Sequence, residues 1–502
     1  MTVPTLDAPG DYLDGRFVAA PAPDGELRVH SPADLDDVVS RHPHSLAHVA
    51  RAVEAAQGAA AGFRRLPLDR REALLRAYQG RLRAHAAPIA DAIAREVGKP
   101  LWEARIEAEA MAKKIDLCIG PGGAYTATER IDGLPGEIEH RPVGVVAVIG
   151  PFNFPGHLPN GQIAAALLTG NAVVHKPSEL APSTGTWIAR CLDEAGLPPG
   201  VFNLVQGPAQ AGAALSADQA VDAVLFTGST AAGRAIVAAN DGRLDRVVAL
   251  ELGGKNASLV LDDCDLEHAA RAVAFAAFAT AGQRCTSTSR VIASAAIVDA
   301  LADRLATLAN GLRVGHPLDD DVFMGPVITE AARERILAAQ RAAVDAGFEP
   351  ICAGGPVVVD AHRGHYLRPA LHRSPIAPVA VEAYSDAELF GPDIALYTAR
   401  DDVHAIELAN DTRFGLSAAV FCRDEARFRA IATELRVGVV HHNRATAGAS
   451  GRLPFGGVGD SGNHRAAGIV AGLGCTYPVA MLLDTPDRDS TPTWPGFEPA
   501  PG

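Results

Sequence analysis

An α/β fold built on a doubly wound parallel sheet is what this sequence predicts, and three observations predict it. From Val143 onward, short apolar runs alternate with helical stretches, the pattern of strands covered on both faces by crossover helices. Polar and glycine-rich clusters fall where those runs end, which is where such sheets bind ligands. The chain has 502 residues with 48% apolar and 21% charged side chains, an ordinary globular composition long enough for two or three packed units.

Taken in order, the chain opens with an irregular segment and then reads helical over 46–62 and 67–97. The second stretch carries Leu74, Leu75, Tyr78, Leu82, Ile89 and Ile93 at three and four spacing, with Asp69 as candidate N-cap and Gly98 as stop. A third helix is expected over 102–117, after the Lys99-Pro100 break. Residues 120–123 loosen the chain, and 136–141 (GEIEHR) read as a polar strand, an arm free to pair with another element or subunit. Strands then follow at 143–149, 172–176, 201–205, 222–226 and 246–250. Helices separate them at 157–169, 182–195, 209–217 and 230–239. A helical run over 265–280 leads to the stretch Ala281-Gly282-Gln283-Arg284-Cys285-Thr286. Further helices are expected at 403–410 and 424–435, with Gly415-Leu416-Ser417 as a turn into a strand, and 475–483 (CTYPVAMLL) as a last strand.

Charge and targeting signals narrow the function. The net charge of −14 is spread without a basic block, which argues against a nucleic-acid partner. No leader pattern opens the chain and no apolar run is long enough to span a bilayer, so no membrane partner and a cytoplasmic site are expected. The seven cysteines are scattered without a CxxC pair, and neither His362/His365 nor His441-His442 lies near further ligands at metal spacing; no metal is expected.

The polar residues at the strand ends form a set. After the first strand comes Pro151-Phe152-Asn153-Phe154-Pro155, and after the second Lys176-Pro177-Ser178-Glu179. After the fourth comes Thr227-Gly228-Ser229 leading to Gly233, and after the fifth Glu251-Leu252-Gly253-Gly254. An amine and a carboxylate at one strand end suit ribose hydroxyls, and glycines at a helix mouth let N–H groups face a pyrophosphate. The spacing is neither GxGxxG nor a Walker A loop, and a glycine pair before a helix is often only a turn. Cys285 by itself reads equally as a small core residue or a nucleophile.

These motifs, with Glu388-Leu389-Phe390-Gly391-Pro392 and Pro454-Phe455-Gly456-Gly457, resemble the aldehyde dehydrogenase superfamily in order and spacing over about residues 45–490. The stretch Gly150 to Gly161 with Ser461-Gly462-Asn463-His464-Arg465 resembles, more narrowly, the subfamily acting on N-succinylglutamate 5-semialdehyde in arginine catabolism. The resemblance implies an aldehyde dehydrogenase-like fold. Its NAD-binding domain would span 1–125 and 143–253, its catalytic domain 254–469, and its oligomerisation arm 126–142 and 470–486, with a loosely ordered tail at 487–502. It also implies a homodimer or dimer of dimers, in which the last strand pairs with the 126–142 arm across the dimer.

The resemblance assigns roles residue by residue. Cys285 would attack the aldehyde carbon as a thiolate. An ordinary thiol, with a pKa near ~8.5, is only slightly ionised at neutral pH, so surroundings that favour the anion are expected. The Asn153 amide and the Cys285 N–H would hold the oxyanion. Glu251 would activate the water that hydrolyses the thioester, a task suited to a raised carboxyl pKa. Lys176 and Glu179 would take the adenosine ribose, Ser229 and the Gly228 turn the pyrophosphate, and Glu388 the nicotinamide ribose. Ser178, Gly207, Thr227, Gly233, Leu252 and Phe390 would line the same cleft. A carboxylate at the ribose would repel a 2′-phosphate, so Glu179 favours NAD over NADP.

Substrate choice is left to fewer residues. A substrate with two carboxylates calls for cationic or donor-rich contacts, and Arg284, Arg290, Arg444, Asn463, His464 and Arg465 are the candidates. The chain departs from the subfamily at Ser287-Thr288-Ser289 and at His442-Asn443-Arg444-Ala445, which leaves room for another acidic or acylated semialdehyde. A CoA-acylating relative, a non-catalytic protein on the same fold and a proline-pathway semialdehyde dehydrogenase are the rival readings; Glu251 speaks against the first, and thiol, amide and carboxylate together against the second.

Overall fold

Two seven-stranded sheets meet end to end in the computed structural model. It describes residues 5–483 except 7, 21, 360–361, 377–379 and 465–466, together with 495–496. The first sheet runs, edge to edge, Val247–Glu251, Ala223–Thr227, Val145–Ile149, Ala172–Lys176, Phe202–Leu204, Asp11–Leu13 and Arg16–Val18. The first five strands are parallel. Strand order reverses between Val145–Ile149 and Ala223–Thr227, and this is the switch point at which open α/β sheets leave a crevice. One face is covered by the helices Leu68–Ala84, Leu101–Leu117, His157–Leu168 and Pro182–Glu194. The other is covered by Ala47–Phe63, Ala209–Ala217 and Thr230–Ala239.

The second sheet runs Glu349–Ala353, Ala370–Arg373, Asp393–Ala399, Thr288–Ser294, Asn256–Val260, Ser417–Phe421 and Val439–His442. Only Glu349–Ala353 is antiparallel to its neighbour. Four residues, Leu252 to Lys255, separate the last residue of Val247–Glu251 from the first of Asn256–Val260, so Glu251 stands at the seam of the two sheets.

Three expectations are corrected. The N-terminal segment is not irregular. Asp11–Leu13 and Arg16–Val18 form a hairpin that extends the first sheet antiparallel at Tyr12↔Leu204, and Gly25–His30 pairs with Val38–His44. The cue was the Asp14-Gly15 pair, whose φ values of 49° and 80° are those of a primed hairpin turn. The 67–97 stretch is two helices, Leu68–Ala84 and Ala86–Val97, because Pro88 fits a first turn but not a helix interior. Asp69 lies in the first turn after the N-cap Pro67, and Gly98 does end the pair at φ 77°.

The third correction concerns the arm. Thr476–Leu482 pairs residue by residue with Gly136–Pro142 of the same chain, and Glu129–Arg130 joins on the far side. Contact with another subunit would therefore use an outer edge of this small sheet rather than the Thr476–Leu482 pairing itself. The 487–502 tail lies outside the described residues, apart from 495–496. Among the described residues no helix is long and apolar enough to cross a membrane.

Candidate active site

The loop bearing Cys285 is held in an unusual backbone path. The helix Leu266–Phe278, N-capped by Asp265, ends in front of three consecutive left-handed residues: Thr280 (φ 55°), Ala281 (φ 52°) and Gly282 (φ 68°). A Cβ at position 282 would collide with the carbonyl of Gly391, so glycine is required there. Thr280 and Ala281 each cost about 1–2 kcal/mol in this conformation. The path is fixed from outside by Glu103, which accepts from the Thr280 N–H (2.9 Å) and hydroxyl (3.0 Å) and pairs with Arg284.

Beyond the bend, nearly every carbonyl around the thiol is tied down. The Asn256 amide donates to the carbonyls of Cys285 and Ser287, both at 2.8 Å, and the Thr446 hydroxyl to that of Thr286 at 2.7 Å. Ser287 closes the turn across Cys285: its N–H donates to the Arg284 carbonyl and its hydroxyl accepts from the Arg284 N–H. The departure from the subfamily at Ser287 thus sits in the turn itself. Asn153, at the carboxyl end of Val145–Ile149, donates its side-chain N–H to the Gln283 carbonyl at 2.9 Å. That bond uses one amide hydrogen and leaves the other for a ligand.

Electrostatics correct one expectation. The Cys285 thiol is pushed up to about 12, by burial first and then by the charges of Glu388 and Glu251, while the nearby N–H groups of Thr286 and Cys285 act in the opposite sense. Without a cofactor the site therefore favours the neutral thiol, because burial and two carboxylates together outweigh two backbone dipoles. Glu251 is buried with neither carboxylate oxygen hydrogen-bonded, and burial holds its carboxyl well above the usual range, offset only in part by the Ala467 N–H. Its flanks are rigid: the Leu252 N–H donates to the Ser461 carbonyl, and Glu251 bridges to Gly462. Glu388 accepts from the Gly254 N–H at 2.9 Å, and burial pushes it up to about 7. A Cβ at Gly253 would strike the Glu388 carboxylate, so a larger residue there would displace that side chain.

The other sequence-predicted residues divide into a cleft and a scaffold. At the ends of the first sheet, Lys176 pairs with Glu179 at 3.1 Å and Ser178 accepts from the Leu180 N–H. Ser229 caps the helix Thr230–Ala239 by accepting from the Ala232 N–H, and the Gly228 N–H donates to the Glu251 carbonyl. Gly233 packs on Leu252, where a Cβ would come within 2.7 Å, and Gly207 lies at φ 151° against Ala211. Thr227 ends its strand, and Phe390, at φ 53°, sets its ring edge-on to Phe152. The exposed Ser229 and Ala231 leave the first turn of this helix open to solvent. A cleft with an open helix mouth at one end and Glu388 beside Cys285 at the other fits an extended dinucleotide.

Half of the six substrate candidates are built into the scaffold. Asn463 donates to the Val248 carbonyl (2.7 Å) and accepts from the Leu250 N–H (3.0 Å), bracing the strand that carries Glu251. Arg290 is buried and donates to the carbonyls of Lys255, Leu408 and Ala409. Arg284 is committed to Glu103 and lies 5.3 Å from the centre of the Phe154 ring. Arg444 and His464 are exposed, and Arg465 lies outside the described residues. Glu103, Glu107, Lys99, Asn256 and Thr446 were not singled out by sequence reasoning. The signal for the first two was acidic residues four apart, in register with the apolar positions Ala104, Ala108, Met111 and Ile115.

Residues 18–477 match the aldehyde dehydrogenase family. The chain belongs to that family of nicotinamide-linked oxidoreductases. The N-succinylglutamate 5-semialdehyde dehydrogenase of Erwinia tasmaniensis is 40% identical, over 88% of this chain and 90% of its own. The protein of that name from Novosphingobium aromaticivorans is 41% identical, over 84% and 89%. Among solved structures, an NAD-dependent aldehyde dehydrogenase from Sinorhizobium meliloti superposes with a TM-score of 0.89 at 30% identity, covering 96% of each chain. A variant of aldehyde dehydrogenase C from Pseudomonas syringae, complexed with NAD+ and octanal, superposes at 0.88 and 31% identity, covering 95% of this chain and 96% of that one.

Proposed function

We propose that the protein oxidises N-succinylglutamate 5-semialdehyde to N-succinylglutamate with NAD+, through a thioester on Cys285. The observation that carries the chemistry is the convergence of three groups: the Asn153 amide bonded into the Cys285 loop, and the unpartnered buried carboxylate of Glu251 close enough to act on the Cys285 thiol. The substrate rests on the name shared by relatives at 38–41% identity. Lys176, Glu179, the Ser229 helix mouth and Glu388 would hold the dinucleotide, which when bound supplies the hydride acceptor. The exposed Glu179 carboxylate supports NAD over NADP.

Cys285 Sγ gives its proton to water and bonds to the aldehyde carbon as the carbonyl π pair moves onto oxygen, and the new oxyanion faces the free Asn153 amide hydrogen and the Cys285 N–H. After hydride loss the carbon is a thioester. Glu251 then takes a proton from water, whose oxygen bonds to the thioester carbon, and the thiol is released with the acid. A carboxyl held above its usual range is a stronger base than an ordinary glutamate, which suits this step.

Seven free thiols support a cytoplasmic setting. Exposed Tyr477, Leu482 and Leu483 on the arm support a homodimer or dimer of dimers, which sedimentation would distinguish. The functional test is NADH formation by purified protein across a panel of acidic semialdehydes, with Cys285→Ser as control. Turnover of N-succinylglutamate 5-semialdehyde at least about tenfold better than the rest is expected, in line with the discrimination polar sites achieve. Better turnover of another acidic or acylated semialdehyde would favour the second reading, which the Ser287 and His442–Ala445 departures motivate. Full activity of Cys285→Ser would overturn the mechanism.

A further inference from the structure

We propose that Glu103 and Glu107, one helical turn apart on Leu101–Leu117, are positioning residues that hold the Cys285 loop and the Asn153 loop in fixed mutual alignment. The inference rests on the reading of Cys285 as nucleophile and Asn153 as oxyanion donor. Both carboxylates are buried, on a part of the helix whose other buried residues are Ala104, Ala108, Met111, Ala112 and Ile115, with Lys114 near its end. Apolar side chains there would pack without the penalty of burying charge. Their partners explain why acids stand there instead.

Glu107 serves the Asn153 loop. One oxygen accepts from the N–H groups of Gly156 (3.0 Å) and His157 (3.1 Å). The other takes the Lys99 ammonium, which also donates to the Asn153 carbonyl at 2.7 Å and lies 3.7 Å from the centre of the Phe154 ring. Glu103 serves the Cys285 loop through Thr280 and Arg284, and Arg284 in turn lies over Phe154. One helix face thus grips both loops, and the Asn153–Gln283 bond spans the gap between them. Without the Glu103 acceptor, Thr280 and Ala281 would be free to leave the left-handed region and extend the preceding helix, carrying Cys285 out of line with the amide. Misplacement by an ångström is enough to cost on the order of 100-fold in rate.

The test uses the full-length protein with Glu103→Ala and Glu103→Gln. The readouts are kcat and KM for the aldehyde, the dissociation constant of NADH, and the rate of Cys285 alkylation by iodoacetamide followed by peptide mass spectrometry. For Glu103→Ala we expect kcat to fall about 30- to 300-fold, with KM and NADH affinity within about threefold and alkylation altered at least about fivefold. Glu103→Gln keeps an oxygen for the Thr280 N–H and should regain at least about tenfold of the lost kcat. The proposal is overturned if Glu103→Ala leaves kcat and alkylation within about threefold of the unaltered protein, or if the loss falls on KM. Loss of NADH binding in both variants would overturn it too, by making Glu103 a general support of the fold. Alkylation needs no turnover, so an unaltered protein that oxidised no aldehyde would refute the functional reading while the positioning claim was still decided by that rate.

Discussion

Replacing Glu251 by glutamine should separate the two halves of the reaction and do so without harming the fold. Neither oxygen of Glu251 is hydrogen-bonded, so the isosteric amide deletes no native bond. The carboxyl is held well above its ordinary value by burial, which sets the sign of its contribution to stability. Below the unfolded-state pKa the group is protonated in both states and its contribution is fully present; it is lost as pH rises through the native value. Burial disfavours the charged form of the native carboxyl, and a neutral amide removes that liability. Glu251→Gln should therefore melt no lower than the unaltered protein at pH 7, and its melting temperature should depend less on pH above about pH 4.5. Catalysis should respond differently. Formation of the thioester does not need the base, so mixing enzyme, NAD+ and aldehyde should give a burst of NADH of about one equivalent per site, whereas steady turnover should fall by about 10²–10⁴-fold. The assay is stopped-flow absorbance beside thermal melts at several pH values. Turnover within threefold of the unaltered protein, or loss of the burst with the turnover, would refute the assignment of Glu251 to hydrolysis.

Other outcomes follow from the same geometry. Asn153→Ala removes an oxyanion donor and the bond to Gln283, and kcat should drop on the order of 10²–10³-fold in steady-state assays. The thiol pushed up to about 12 means that, in cofactor-free protein, Cys285 alkylation should keep rising about tenfold per pH unit through pH 10; a plateau near pH 9 would show an ordinary thiol. Asn463→Ala should lower stability by about 1–3 kcal/mol in denaturant titrations, through the Leu250 N–H and Val248 carbonyl it leaves unpaired, with the KM for aldehyde little changed. A large rise in KM would return Asn463 to the substrate site.

What could be read from the sequence follows the physics of each signal. The strands of the first sheet are apolar on both faces and punctuated by glycine, so Ala172–Lys176 and its neighbours stand within one or two residues of where periodicity put them. Asn153, Glu251 and Cys285 could be placed because they stand at or after the ends of strands and helices that were clear, while the roles proposed for them came from the family resemblance. The Asp11–Leu13 hairpin was missed because three-residue strands carry too little alternation, although Asp14-Gly15 marked the turn. The partners of Arg284, Arg290 and Asn463 were not legible for another reason: a sequence shows that a side chain can donate, not whether a carboxylate or carbonyl already occupies it. The thiol was misjudged because its environment is set by burial and then by Glu388, more than a hundred residues away in the chain.

The four residues from Leu252 to Lys255 also constrain how this enzyme could be recombined with its relatives. Glu251, the proposed water activator, closes one sheet and Asn256, which donates to the carbonyl of Cys285, the proposed nucleophile, opens the other. A chimera exchanging one half for a homologue's, with its crossover inside this connector, would join a base from one parent to a nucleophile mount from the other. A register slip of one residue there moves a strand by about 3.3 Å. Crossovers placed before Val247 or after Val260 would instead transfer base, connector and mount as a single inherited block.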